Sequence, residues 1–399
     1  MIFANDTTLL ATGHDPNETA AQINRDLEKI SVWAKTWKVT FNASKSKDMI
    51  FCNNKQLFNS PPLVFNNTFV QRVAEHKHLG LWLSPSLSWS KHVYETCLKA
   101  TRKLFVLRSV KFLNRRTLDM LYKIQIRSCI DYMLPVYYHT LKQTEMARLD
   151  RVQYRAGLLA SSALFFTSKD KLNVELGWES ISERADFLGL TLFHKIHLKE
   201  TRPLVFKCMS TLNLFSSRSK GNYKMFPNLG KNFSNSFFPY YTKRWNNLGN
   251  GLKSKLDLND FKTELKIEIK PKKYKHFQKG SKIGNANLTR LRVGRSFLQS
   301  HSFSIGLSES PSCLCHFPEE TPSHYLLSCW LYNEERRALF GSVSQLVPGF
   351  ISLPKRKQLE LLLFGHKIDD PEMYSINVKL QLTVQKFLFD SNRFDLPPP

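Results

Sequence analysis

Apolar positions come first in short alternating runs and only later in long helical stripes. Met1 to Ala4 and Thr7 to Thr12 flank Asn5-Asp6, a pair suited to a tight turn, and predict a β-hairpin. Asp15-Pro16-Asn17-Glu18 has the form of a helix start: an Asp cap, Pro at the first helical position and Glu three residues after the cap. The helix that follows places Ile23, Leu27, Ile30, Ala34 and Trp37 on one face. Short strands are expected at Val39 to Phe41 and Asp48 to Cys52. A second hairpin is expected from Leu63 to Phe65 and Phe69 to Val73 around Asn66-Asn67, and one strand over His78 to Leu83. After Trp89 the period changes. A helix from about Ser90 buries Val93, Cys97, Ala100, Leu104 and Leu107, and helical patterns continue to about Ala160.

Charge adds the next constraint. Lys and Arg number 58 against 33 Asp and Glu among 399 residues, a formal net charge of +25. Such an excess attracts polyanions, and nucleic acid is the usual one. Lys99, Arg102, Lys103, Arg108, Lys111, Arg115 and Arg116 are expected on the exposed sides of the helices, as a solvated face or as a face against a nucleic-acid backbone. Between 212 and 282 the chain is rich in Ser, Asn, Lys and Gly and is expected to be a basic connector. Its run of Lys270, Lys272, Lys273, Lys275 and Lys279 suits either a flexible segment or phosphate contact. No apolar run reaches the length of a membrane span, and the first residues, MIFANDTTLL, lack the features of a secretory signal. An intracellular chain, nuclear or cytoplasmic and not secreted, is therefore expected, with no membrane partner. Seven cysteines do not make a disulfide scaffold.

Three of those cysteines gather in one place. Cys313-x-Cys315, His324 and Cys329 offer three sulfurs and one imidazole, a set that suits a closed tetrahedral Zn²⁺ site. His316 competes with His324 for the fourth place, and the bland alternative is a cluster of free buried thiols beside a surface histidine.

Several segments in order then point to a family. FANDTTLLATG with the helix after it, FNASKSKDMIF and HLGLWLSPSLSWSKHV resemble the second half of the palm of a non-LTR (LINE-like, jockey-like) retrotransposon reverse transcriptase. The resemblance continues through Arg244 to Leu248 (RWNNL), Leu288 to Leu307 and the Cys/His segment, so it covers nearly the whole chain. It implies an α+β fold: a partial palm of antiparallel sheet plus helix, a helical thumb and a small zinc-knuckle-like C-terminal region. The expected divisions are 1–89 for the half palm with its primer-grip hairpin, 90–211 for the thumb, 212–282 for the connector, 283–340 for the Cys-Cys-His-Cys region and 341–399 for a helical tail.

The resemblance also assigns roles. In the family the hairpin tip carries two Asp residues that, with a third carboxylate from an upstream strand, hold the two Mg²⁺ ions of nucleotide addition. Here Asp6 keeps its carboxylate, Asn5 is neutral, and the upstream Asp has no counterpart. Lys45, in the pattern Asn42 to Ser46, corresponds to a residue at the departing pyrophosphate, although an ordinary lysine beside a strand reads equally well. Leu79, Gly80 and Leu81 correspond to the primer grip, where glycine permits close backbone approach; a bulge in an edge strand is the alternative. Trp82 and Trp89 are expected to pack against the helices, with stacking on sugar or base as the alternative. Lys272, Lys273, Lys275, Arg290, Arg292 and Arg295 are the expected nucleic-acid contacts, the three arginines being presented by the zinc region. Structural Zn²⁺ is the implied cofactor, and Mg²⁺ belongs to intact relatives. The implied partner is an RNA or DNA template-primer, with no small-molecule substrate expected without the missing palm half. The expectation is a truncated or degenerate RNA-directed DNA polymerase that binds template-primer without polymerising alone. The alternatives are a non-enzymatic RNA- or DNA-binding protein derived from a mobile element, or the product of a decayed element.

Overall fold

The computed structural model describes residues 2–3, 6–52, 60–198, 222–269, 274–367 and 371–394. The chain divides into two compact units, 1–95 and 96–399. It is mixed α+β, with small sheets in the first unit and helices dominating the second.

In the first unit the long helix Pro16–Thr36 starts as its sequence dictates. Asp15 accepts a hydrogen bond from the Asn17 amide at 2.9 Å, and Pro16 occupies the first turn. Ala20, Ile23, Leu27 and Ile30 pack with Leu63, Phe65, Val70 and Phe41. Trp37 does not join that face. Lys38 turns the chain with φ +53°, and the Val39 amide donates back to Ala34, which closes the helix and leaves Trp37 exposed. The same closure removes the strand expected over Val39 to Phe41; Phe41 instead meets Phe65 edge-on.

Four two-stranded sheets make up the β content described: β1 (Ile2–Phe3) with β2 (Asp6–Thr7), β3 (Lys47–Asp48) parallel to β6 (Gln71–Arg72), β4 (Val64–Phe65) with β5 (Thr68–Phe69), and β7 (His76–His78) with β8 (Leu81–Leu83). The first hairpin is shorter than expected, because pairing stops at Thr7 and Leu9 and Leu10 face solvent. The β4–β5 turn is carried by Asn66 (φ +50°) and Asn67 (φ +58°), and asparagine tolerates that left-handed backbone. His78 to Leu83 is not one strand. Leu79 (φ +45°) and Gly80 (φ +86°) form the two-residue turn of the β7–β8 hairpin. Two successive positive φ values are what such a turn requires, and glycine supplies one of them without steric cost.

The helix Ser90–Ser109 buries Val93, Ala100, Leu104 and Leu107 on one face while Cys97 is half-buried. Lys99, Arg102, Arg108, Lys111 and Arg116 are exposed and Lys103 partly so, but Arg115 is buried, contrary to its expected place on the basic face. Residues 222–269 are not merely a connector. The helix Phe237–Asn246 brings Tyr241 and Trp245, both fully buried, into one core with Phe187, Leu190 and Phe193 of the helix Ile181–His197. Nor do 283–340 and 341–399 stand apart. Leu288, Leu291, Tyr325, Leu326, Leu339, Leu362, Val384 and Phe387 share a single hydrophobic cluster.

Buried charge ties these pieces of the second unit together. Arg115 donates to the Glu175 carboxylate at 2.6 Å and also to the Glu175 carbonyl, while Arg292 Nε and Nη2 donate to the same carboxylate at 3.1 Å each. Thr289 adds a fourth donor to it at 2.9 Å. The two guanidinium charges hold the Glu175 carboxyl below the usual carboxylate range against the opposing effect of burial.

Candidate functional site

Cys313 and Cys315 lie on a turn closed by the Cys313 amide donating to Phe317 O and the His316 amide donating to Cys313 O, both at 2.9 Å. His324 sits on the short helix Pro322–Leu327, which Thr321 caps by accepting from the His324 amide, and Cys329 follows directly after it. The ligand atoms of Cys313, Cys315, His324 and Cys329 all lie within 4.8 Å of one another, and all four residues are buried. Cys313 Sγ and Cys329 Sγ are 3.6 Å apart, and Cys315 Sγ is 3.1 Å from His324 Nε2. Zn–S bonds of about 2.3 Å in a tetrahedron give S···S edges of roughly 3.7 Å, so the donor set fits zinc. Three cysteines and one histidine close the shell and leave no position for a substrate, as in a structural site. His316 is exposed with φ +66° and is not part of the quartet.

The surroundings hold these ligands in place. Phe317 stacks on the His324 ring at 4.3 Å and 7°. Arg336 donates to the carbonyls of Tyr325, Leu326 and Cys329, gripping the backbone that carries two of the ligands. Its sequence position, on an ordinary charged helix, gave no signal of that role. Burial pushes the Cys313 thiol up to about 12 and raises Cys329 as well. Burial also opposes ionisation of Cys315, but the Phe317 amide and the neighbouring thiols stabilise its thiolate and bring it below the usual thiol range. Burial lowers His324, which favours the neutral form that ligates.

The other expected site residues do not gather around one centre. Asp6 is exposed on β2, and Asn5 lies outside the described residues. Thr8 approaches His78 at 3.4 Å, which brings the Asp6 segment beside the hairpin of Leu79, Gly80 and Leu81. The charges acting on His76 there are His78, Lys47 and Asp6, so Asp6 stands among basic groups. Among the described residues the Cys/His quartet is the one group of three or more candidate metal ligands, and no carboxylates converge on Asp6. These residues do not fit a pair of Mg²⁺ ions. Lys45 is exposed at the end of a 3₁₀ turn, where its amide donates to Asn42 Oδ1 at 3.2 Å and the Ser46 hydroxyl to Asn42 O at 3.1 Å. The Asn-x-x-Lys-Ser pattern thus builds a local turn that presents the lysine. Trp82 is partly buried with Lys91 5.4 Å above its ring, and Trp89 meets His92 edge-on.

Lys272 and Lys273 lie outside the described residues, as does the side chain of Lys275. Arg292 is not at the surface, because its guanidinium is enclosed between Glu175 and the Phe277 ring, 3.6 Å away. Arg290 is half-buried, donating to Ser162 O at 3.2 Å and lying 5.0 Å from the Phe297 ring. Of the three arginines only Arg295 is left without such an internal role, and it is partly exposed.

The chain is homologous to RNA-directed DNA polymerases of non-LTR retrotransposons. The particular relatives are the RNA-directed DNA polymerase from mobile element jockey of Drosophila melanogaster, 25% identical over 34% of this chain and 15% of that protein, and its Drosophila funebris counterpart, 26% identical over 32% and 14%. A third is the retrovirus-related Pol polyprotein from type-1 retrotransposable element R1 of Bradysia coprophila, 23% identical over 92% of this chain and 36% of that protein. The chain therefore spans little more than a third, at most, of the length of the curated relatives it matches. No protein-family model matches it, and no solved structure matches it.

Proposed function

We propose that the chain is the template-primer-holding C-terminal portion of a non-LTR-type RNA-directed DNA polymerase, degenerate at the catalytic turn. The observation that carries this reading is the closed Cys/His quartet, found in a basic chain that aligns along 92% of its length with the R1 polyprotein. In this reading residues 1–89 are the second half of a palm, with Leu79, Gly80 and Leu81 as primer grip, and 90–211 are a thumb tracking the nucleic-acid backbone. The quartet holds structural Zn²⁺, which would fix the loop between residues 313 and 329 and through it the core shared with the C-terminal helices. The turn offers one carboxylate, Asp6, among basic groups and beside neutral Asn5, and one carboxylate does not compensate two divalent cations.

The test is primer extension on an RNA template with Mg²⁺ and with Mn²⁺, run for the parent chain, Asn5→Asp and Asp6→Ala. No incorporation from any of them is expected, together with template-primer binding that weakens steeply with salt. Incorporation abolished by Asp6→Ala would overturn the degenerate reading. A second reading, a mobile-element-derived nucleic-acid-binding protein with no polymerase role, is favoured by Asn5. It differs in needing no primer end, so it predicts that primed and unprimed templates bind equally, whereas the first reading expects the primed template to bind more tightly.

A further inference from the structure

An open cavity of about 520 Å³ in the second unit is lined by Arg108, Arg155, Leu158, Leu159 and Phe165. Arg108 lies near the end of the helix Ser90–Ser109. Arg155 and the two leucines lie on the last turns of the helix Gln143–Ser161, and Phe165 lies on the loop that follows it. The volume is within the usual range for small-molecule and nucleotide sites, roughly 300–1,000 Å³. Both arginines are exposed, and among the described residues neither is paired with a carboxylate; Asp150 on the same helix is engaged by Lys169 at 3.2 Å.

The loop is built to show its aromatic rings to solvent. Phe165 is 62% exposed and Phe166 72%, and the two rings meet edge-on at 4.7 Å, with Tyr154 continuing the row 6.3 Å from Phe165. Phe166 has φ +65°, a left-handed backbone that a bulky side chain rarely adopts. The loop is nonetheless fixed at both ends. Arg290 donates to Ser162 O at its start, while buried Thr167 donates to Leu164 O at 2.7 Å and Ser168 caps the next helix. A rigid, strained loop that holds two phenyl rings in water beside two free guanidinium groups costs stability, and the fold gains nothing visible from it.

Taking the chain to be a nucleic-acid binder as above, we propose that this cavity is a single-strand nucleotide site, with an unpaired base stacked on Phe165 against Leu158 and Leu159 and its phosphate held by Arg108 and Arg155. Guanidinium groups select the anion, and an exposed ring selects a free π-face, which a base inside a duplex does not offer. The occupant is therefore an unpaired stretch of RNA or DNA rather than a duplex.

The test uses the full chain and two fluorescein-labelled probes, a single-stranded RNA of mixed sequence and the blunt duplex of the same sequence, read by anisotropy. Phe165→Ala is expected to weaken single-strand binding roughly tenfold while leaving duplex affinity within about a factor of two. Phe165→Trp is expected to restore it, with indole fluorescence quenched on binding. Arg108→Gln with Arg155→Gln is expected to weaken the single strand and reduce its log–log salt slope by roughly 1. Unchanged thermal midpoints guard against loss of fold. Single-strand affinity equal to the parent in Phe165→Ala overturns the proposal, as does an equal loss for both probes. So does a dimer of the parent that Phe165→Ala dissociates in sedimentation, since a second copy would then cover the cavity. If the parent fails to bind duplex but keeps Phe165-dependent single-strand binding, the template-primer reading falls and this site stands.

Discussion

Glu175 shows how much one side chain decides here. Among the described residues it is the sole carboxylate receiving both Arg115 and Arg292 in a buried setting, so Glu175→Gln leaves two guanidinium charges without that counter-ion. Breaking such a pair costs about 3–5 kcal/mol, and urea unfolding of the variant should show a loss of that size; a loss below about 1 kcal/mol would remove the cluster from the account of stability. His92 gives a pH signature. Burial, helped by Lys77, pulls it down to about 4, against about 6.5 in the unfolded chain. The unfolded state then takes up the proton first as pH falls. The contribution of this group is complete above about pH 6.5 and is lost progressively toward pH 4. Unfolding followed at Trp89, which touches His92, should weaken across that window in the parent and lose this part of its pH dependence in His92→Leu.

At the scale of elements, turn chemistry and helix starts were legible and strand lengths were not. The Asp15-Pro16 start and the Asn66-Asn67 turn stand where the local pattern put them, because capping and positive φ are properties of a few adjacent residues. Leu79-Gly80 carries the same kind of signal, yet the apolar run around it reads as one strand. Only pairing partners reveal the reversal of direction. These turns make opposite predictions. Asn67→Gly should stabilise the first unit by a few tenths of a kcal/mol up to about 1, since glycine accepts φ +58° more readily. Gly80→Val should destabilise the β7–β8 hairpin by about 1 kcal/mol or more, because φ +86° is hostile to a β-branched residue. Amide exchange at His76 to Leu83 would register the second effect, and unchanged protection there would contradict it.

At the scale of the whole molecule the Cys/His quartet is the feature with the widest reach. Its ligands adjoin Tyr325, Leu326 and Leu327, which belong to the core shared with the C-terminal helices. We expect one zinc per chain by elemental analysis and none in Cys329→Ser. Chelation should lower the thermal midpoint of the parent by roughly 5–10 °C, with little further effect on the variant. A chain purified without zinc, equally stable with and without added metal, would return the quartet to free buried thiols. The Arg393–Glu320 pair, with contacts of 2.6 Å beside the same loop, should persist in either state and keep the C-terminal end docked.

The sequence by itself determined the basic character, the Asp15-Pro16 helix start, the Asn66-Asn67 turn and the gathering of three cysteines with a histidine in one segment, because each depends on residue type at short spacing. It also carried the kinship with non-LTR retrotransposon polymerases, through the order of its motifs. Tertiary structure decided which charges remain free. Arg115, Arg292 and Arg336 look like surface cations along the chain, and burial turns them into internal struts. Arg108 and Arg155 look no different in sequence, yet they stay exposed beside Phe165. The reason is physical. A guanidinium group takes its role from whatever carboxylates and carbonyls the fold brings to it, and in the Glu175 cluster those partners are 60 and 117 residues away along the chain.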